Sequence, residues 1–197
     1  IIADLLPNGS RVLDIGCGGG IFTTAIAKKN AQVTGIDKAK KAISAAQQEA
    51  NKQNLSIEYH SGTLEEFQEC NPQKFDLITC LEMLENVPHP ENIIANISKS
   101  LVPNGIAVFS TINRSPISYI GGILVAEYML NLLPRGTHVY NKFIKPAQLC
   151  TWLEKANFKI KDITGIHYNP FTCSAKLTKN VAINYLVCAQ TNICHNL

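Results

Sequence analysis

Four glycines fall within five positions at Gly16-Cys17-Gly18-Gly19-Gly20, directly after the apolar run Val12-Leu13-Asp14-Ile15. The run reads as a short buried strand. Ile21 to Lys29 then follows a helical pattern, with Phe22, Ala25, Ile26 and Lys29 three or four residues apart. Strand, glycine turn and helix together form the entrance to a nucleotide site in an open α/β sheet, because glycine lets the backbone turn sharply and approach a ligand closely. A second strand, Val33-Thr34-Gly35-Ile36-Asp37, ends in an acid about 20 residues past the turn, the distance at which a carboxylate meets a ribose diol. The dinucleotide fingerprint G-x-G-x-x-G is not met, because Ile21 stands where its last glycine belongs. This disfavours an NAD-dependent oxidoreductase. A tight turn with no ligand is the plainer alternative.

Asp14, two residues before Gly16, completes a D-x-G-x-G pattern with Gly16 and Gly18. This pattern resembles motif I of the class I S-adenosylmethionine-dependent methyltransferases. The resemblance implies that the turn holds the amino-acid end of the cofactor and that no phosphate is bound.

At 197 residues a single domain over 1–197 is expected, with ample chain for a core. The net charge of +3 is small and dispersed, which argues against nucleic acid as a partner. Lys38, Lys40 and Lys41 read as a solvated helix start. The seven cysteines lack C-x-x-C spacing, so neither zinc nor a disulfide framework is expected. Cys17, Cys80, Cys150 and Cys188 read as small core residues of a protein in a reducing compartment. The chain begins Ile1-Ile2 without an initiator Met, and a missing start is the expectation.

Further along, Lys38 to Asn54 is helical, Ser56 to His60 alternates as a strand, and residues 61–66 form a loop and a short helix. Phe75 to Cys80 is the fourth strand, Glu91 to Leu101 a helix, and Ile106 to Thr111 the fifth strand. Lys145 to Lys155 is a helix. Phe158 to Thr164 and Ala182 to Ala189 are strands that close the sheet as an antiparallel pair, and Ile193 to Leu197 is a frayed tail. The expected fold is α/β, a Rossmann-like, mainly parallel sheet with helices on both faces. Its ligand belongs at the carboxyl ends of the strands. Residues 115–142 break the alternation as an apolar insertion or lid. Within it, Ile117 to Leu133 is too short and too charged for a membrane span. Two readings stay open there, a buried helix over the site and a helix lying in a membrane interface.

Five segments in the second half sharpen the resemblance. They are Cys80-Leu81-Glu82-Met83-Leu84-Glu85-Asn86-Val87-Pro88, Ser110-Thr111-Ile112-Asn113-Arg114, Gly136-Thr137-His138, Lys142-Phe143-Ile144-Lys145-Pro146 and Thr164-Gly165-Ile166-His167-Tyr168-Asn169-Pro170. In that order they closely resemble the ubiquinone biosynthesis O-methyltransferase family, over essentially all of residues 10–190. The resemblance implies methylation of a ring hydroxyl on polyprenylated phenol or catechol intermediates. By motif position, Asp14, Gly16 and Gly18 form the cofactor turn and Asp37 meets the ribose. Thr63 and Leu64 lie by the adenine, and Leu81 contacts the cofactor. It further implies a cytoplasmic protein at the inner face of the membrane, alongside other ubiquinone-biosynthesis proteins. The family usually reads E-x-x-E-H after the fourth strand, where members have been assigned a divalent metal. Here Asn86 replaces the histidine.

Glu82 and Glu85 are three residues apart and share a face on a helical turn, as a metal site would need. With Asn86 they form the candidate metal set, with magnesium preferred because the ligands are oxygens. Two solvated carboxylates are the plainer reading. Glu82 and His138 are the candidate bases. His138 follows a Gly-Thr turn, and a surface loop histidine is an equal reading. His167 reads as a hydrogen-bonded turn residue, and His60 and His89 as structural or exposed. A non-catalytic S-adenosylmethionine-binding scaffold and a methyltransferase with another small-molecule acceptor remain the alternatives.

Overall fold

The computed structural model describes residues 6–115, 118, 140–169 and 174–192. Eight strands form one sheet in the order β3-β2-β1-β4-β5-β8-β6-β7. The strands are β1 (Arg11–Ile15), β2 (Gln32–Asp37), β3 (Ile57–Ser61), β4 (Phe75–Leu81), β5 (Leu101–Ile112), β6 (Phe158–Asn169), β7 (Ser174–Thr178) and β8 (Asn184–Thr191). The described helices are α1 (Ile21–Ala27), α2 (Lys40–Lys52), α3 (Leu64–Cys70), α4 (Pro90–Ser100) and α5 (Pro146–Lys155). β1 to β5 are parallel, while β8, β6 and β7 run antiparallel to their neighbours.

Strand periodicity divides the core between the two faces of the sheet. Leu13 and Ile15 on β1 join Ile78 and Cys80 on β4 in one cluster, covered by Phe67 of α3, Ile97 of α4 and Leu153 of α5. Val12 and Leu77 point the other way, against Ile26 of α1 and Ala50 of α2. Alternation with helices on both sides is what buries every residue of β1 after Arg11. Proline opens both α4 and α5, where its missing N–H costs nothing and its fixed φ favours the first turn. Thr63 caps α3. Its hydroxyl accepts the Glu66 N–H at 3.1 Å, and the Glu66 carboxylate accepts the Thr63 N–H at 2.7 Å.

Several expectations are corrected. The antiparallel end has three strands, because β7 pairs with an elongated β6. Ser174–Thr178 is a fully polar-facing edge segment, so it carries no hydrophobic alternation that the sequence would reveal. His167 is therefore not in a turn; it lies within β6 opposite Lys176 and is exposed. On α1 the buried face is Thr23, Thr24 and Ile26, whereas Ala25 is exposed. Cys17 and Cys80 are buried, but Cys150 and Cys188 are only half-buried. His138, the segment Ile117 to Leu133, most of the 115–142 insertion and the tail from Ile193 lie outside the described residues. No described helix is long and apolar enough to cross a membrane.

Candidate active site

β1 and β4 are neighbours whose chains continue in opposite directions across the sheet, so a crevice opens at their carboxyl ends. The glycine turn leaves β1 at this crevice. Gly16 and Gly18 take φ of +75° and +52°, left-handed values that glycine adopts without strain. A Cβ on Gly16 would lie 2.8 Å from Met83 Cγ, whereas one on Gly18 meets nothing within 4 Å. The first glycine is thus demanded by packing, and the second leaves an open cradle. The Gly18 N–H donates to Asp37 Oδ2 at 2.9 Å, and the Ala39 N–H donates to Asp37 Oδ1 at 2.8 Å. These bonds orient the Asp37 carboxylate while leaving each oxygen able to accept a further donor.

A cavity of about 340 Å³ extends from Asp37 to Glu82, lined also by Gly16, Thr63, Leu64 and Met83. The volume is that of a small-molecule site. Four of the seven expected cofactor residues therefore meet at one cavity. Asp14, Gly18 and Leu81 are not among its lining residues. Asp14 is buried beneath the turn, where its carboxylate accepts the Thr79 hydroxyl at 2.7 Å. Burial pushes its carboxyl up to about 6, against the pull of the Thr79 hydrogen bond. Leu81 packs towards the α1/α2 core instead.

Two supports of the turn escape the sequence reading. The Tyr59 hydroxyl and Thr23 Oγ1 are 2.6 Å apart, and Thr23 Oγ1 donates to the Gly20 carbonyl at 2.9 Å. Gly35, paired with Tyr59 across β2 and β3, makes room for this ring: a Cβ there would sit 2.8 Å from Tyr59 carbons. The signal was a glycine inside a strand, which marks close approach of another group. Cys17 fills the same region, and burial pushes its thiol up to about 12, so it stays protonated at neutral pH.

Glu82 stands at the far end of the cavity, with Glu85 as its neighbour. Glu82 leaves β4 with φ of +52°, a conformation that costs a non-glycine residue roughly 1–2 kcal/mol. Its N–H is held by the Ser110 carbonyl at 3.0 Å, and the Ser110 hydroxyl donates to Glu82 Oε1 at 2.7 Å. Glu85 lies in the 3₁₀ turn Leu84–Asn86, is buried, and accepts the Thr111 hydroxyl at 2.7 Å. Glu82 lines the open cavity, where the surrounding protein partly desolvates its side chain. That desolvation and the neighbouring Glu85 push it up to about 7. The pair is brought together by a left-handed residue followed by a 3₁₀ turn, not by the regular helical turn expected. The exposed Asn86 donates through Nδ2 to the Glu82 carbonyl at 3.1 Å.

The residues match the methyltransferase domain family over 1–163. A ubiquinone biosynthesis O-methyltransferase of Pseudomonas syringae pv. tomato is 46% identical over 91% of this chain and 77% of its own length. One from Nitrosococcus oceani is 45% identical over 90% of this chain and 75% of its own. This chain belongs to the ubiquinone biosynthesis O-methyltransferase family. Solved structures agree on the fold. A Methanosarcina mazei S-adenosylmethionine-dependent methyltransferase superposes with a TM-score of 0.72 at 18% identity, covering 98% of this chain and 97% of that one. Magnesium protoporphyrin IX methyltransferase from Synechocystis, solved with bound S-adenosylhomocysteine, superposes with a TM-score of 0.70 at 20% identity, covering 96% and 78%. The sheet described above is thus the class I S-adenosylmethionine-dependent methyltransferase fold. Gly16 of the glycine turn and Glu82 after β4 meet here at one cavity.

Proposed function

We propose that this chain methylates a ring hydroxyl of a polyprenylated phenol or catechol in ubiquinone biosynthesis, with S-adenosylmethionine as methyl donor. The observation that carries the reading is the cavity joining Asp37 to Glu82, in a chain whose relatives bear that name. Asp37 suits a ribose diol, Thr63 and Leu64 an adenine, and Gly16 and Gly18 the amino-acid end. Asp14 supports the turn from below. Leu81 acts at the cofactor only through the wall it continues into.

Bound S-adenosylmethionine supplies a methyl group already activated on a sulfonium, so the protein contributes alignment and proton management. The ring oxygen gains the methyl carbon, the carbon–sulfur bond breaks with its electron pair left on sulfur, and the hydroxyl proton passes to a base. A free phenol ionises near ~10. Glu82, poised near neutrality, is the base within the described residues. His138 is the second candidate.

Glu82, Glu85 and the Asn86 amide oxygen are the candidate oxygen ligands for a hard cation. Among the described residues no group of three or more His, Cys, Asp or Glu could hold a metal ion, and the set relies on Asn86 for its third ligand. We assign magnesium to this set, where it would lower the pKa of a catechol bound beside it. The polyprenyl tail keeps the substrate in a bilayer, so the chain works at the inner membrane surface of the cytoplasm. Ile117 to Leu133 is the proposed segment for that contact or for the tail's entry groove.

The test is mass-spectrometric detection of the methylated ring after incubating this chain with S-adenosylmethionine and a short-tailed catechol, with magnesium or with EDTA. The expected product carries one added methyl on oxygen. Tight S-adenosylmethionine binding without any methylated product would overturn the enzymatic reading. Calorimetric titration with magnesium reads the cation site separately, and no heat of binding would remove it.

A further inference from the structure

A second cavity, of about 370 Å³, lies on the other side of the Leu84–Pro88 segment. Val87 and Pro88 line both cavities, so the two cavities adjoin at this segment. The acidic pair bridges it: Glu82 lines the first cavity and Glu85 the second. The opposite wall of the second cavity comes from α5, through Gln148 and Trp152, and from Arg114, just past β5. The walls combine flat apolar groups with two cations, Arg114 and Lys142, and two carboxylates, Glu85 and Glu91. Arg114 donates through one guanidinium nitrogen to Gln148 Oε1 at 3.3 Å, a long bond to a neutral amide. Among the described residues this is the hydrogen bond Arg114 makes, and a guanidinium carries five donors and does not deprotonate in proteins. Trp152 and the prolines match the faces of an aromatic ring, and a guanidinium fork matches two adjacent oxygens.

We infer that the second cavity seats the acceptor's aromatic ring and that Arg114 holds the acceptor's ring oxygens across the cavity from Glu85. The inference rests on the methyltransferase reading and extends it from the donor site to the acceptor site. A cation here favours an ionised ring oxygen over a neutral hydroxyl. It also selects vicinal oxygens over a lone hydroxyl, because only a diol engages both arms of the fork. Arg114 is thus a specificity-determining residue for a catechol over a simple phenol.

Trp152 is the only tryptophan of the chain, which makes its emission a local reporter of this cavity. The probe is 4-methylcatechol, titrated into the chain saturated with S-adenosylhomocysteine and corrected with N-acetyltryptophanamide for direct absorption. A saturable change in emission is expected, with a much weaker response to 4-methylphenol. Arg114→Met is expected to raise KM for the catechol at least tenfold while leaving the Kd for S-adenosylmethionine within twofold. Arg114→Lys is expected to recover part of that loss. Unchanged emission at catechol concentrations that saturate turnover would place the ring elsewhere and overturn the proposal. So would an Arg114→Met KM within twofold of the parent. If Arg114→Met does not fold, the emission titration of the unsubstituted chain still decides. A saturable catechol response in a chain that methylates nothing would support the ring site while the methyltransferase reading fails.

Discussion

Glu82 and Glu85 stand side by side, each gripped by a hydroxyl from consecutive β5 residues, Ser110 at 2.7 Å and Thr111 at 2.7 Å. Burial and the neighbouring Glu85 push the Glu82 carboxyl up to about 7. The Ser110 hydrogen bond favours the ionised form of Glu82, against burial and Glu85.

Ser110→Ala removes the one hydrogen bond that lowers the Glu82 pKa. The folded-state value should rise above about 7, so less of the base form is present at neutral pH. The acid limb of kcat against pH should move to higher pH by roughly half a unit to one unit, and S-adenosylmethionine affinity should hold. An acid limb that stays in place or moves down would show that Glu82 is not the titrating base.

Asp37→Ala removes the acceptor of the Gly18 and Ala39 N–H groups together with the ribose partner. The Kd for S-adenosylmethionine should rise by roughly tenfold to a hundredfold, the worth of one or two charge-assisted hydrogen bonds. Calorimetry checks this, and an unchanged Kd would remove Asp37 from the cofactor site.

Gly35→Ala should destabilise the fold by roughly 1–3 kcal/mol in urea denaturation, because its Cβ falls 2.8 Å from the Tyr59 ring and 3.0 Å from Cys17 Sγ. In a Tyr59→Ala background the same change should cost clearly less, since the clashing ring is gone. Equal costs in both backgrounds would assign the effect to strand backbone alone.

Asp14→Asn tests the buried acid beneath the turn. The folded carboxyl is raised from 3.8 to about 6, so the unfolded chain loses its proton at lower pH than the folded one. Stability should therefore fall as pH rises from about 4 to about 6 and stay flat above, by on the order of 3 kcal/mol. Asparagine removes that slope while keeping an acceptor for Thr79. Thermal melts should show Asp14→Asn more stable than the parent at pH 7.5 and equal to it near pH 4. A variant that melts earlier at pH 7.5 would mean the carboxylate is stabilised in a way burial does not allow.

The glycine-turn end of the first cavity was largely legible in the residues. Local rules governed Asp14 to Gly20 and Val33 to Asp37: apolar runs make strands, and glycines allow left-handed turns. The acidic end was much less so. Glu82 and Glu85 were recognisable as a pair by spacing, but their contact depends on a left-handed residue and on hydroxyls 28 and 26 positions away. β7 was invisible because an exposed edge strand has no buried face to impose alternation.

The sequence by itself determined the class of fold and the donor turn, because both follow from short-range periodicity and backbone freedom. Only the tertiary structure decided that Tyr59 props the turn through Thr23 and that Gly35 exists to admit that ring. It alone set Arg114 and Trp152 around a second cavity behind the acidic pair. These are contacts between segments far apart in the chain. Packing fixes them in three dimensions, and no local pattern of residues carries their record.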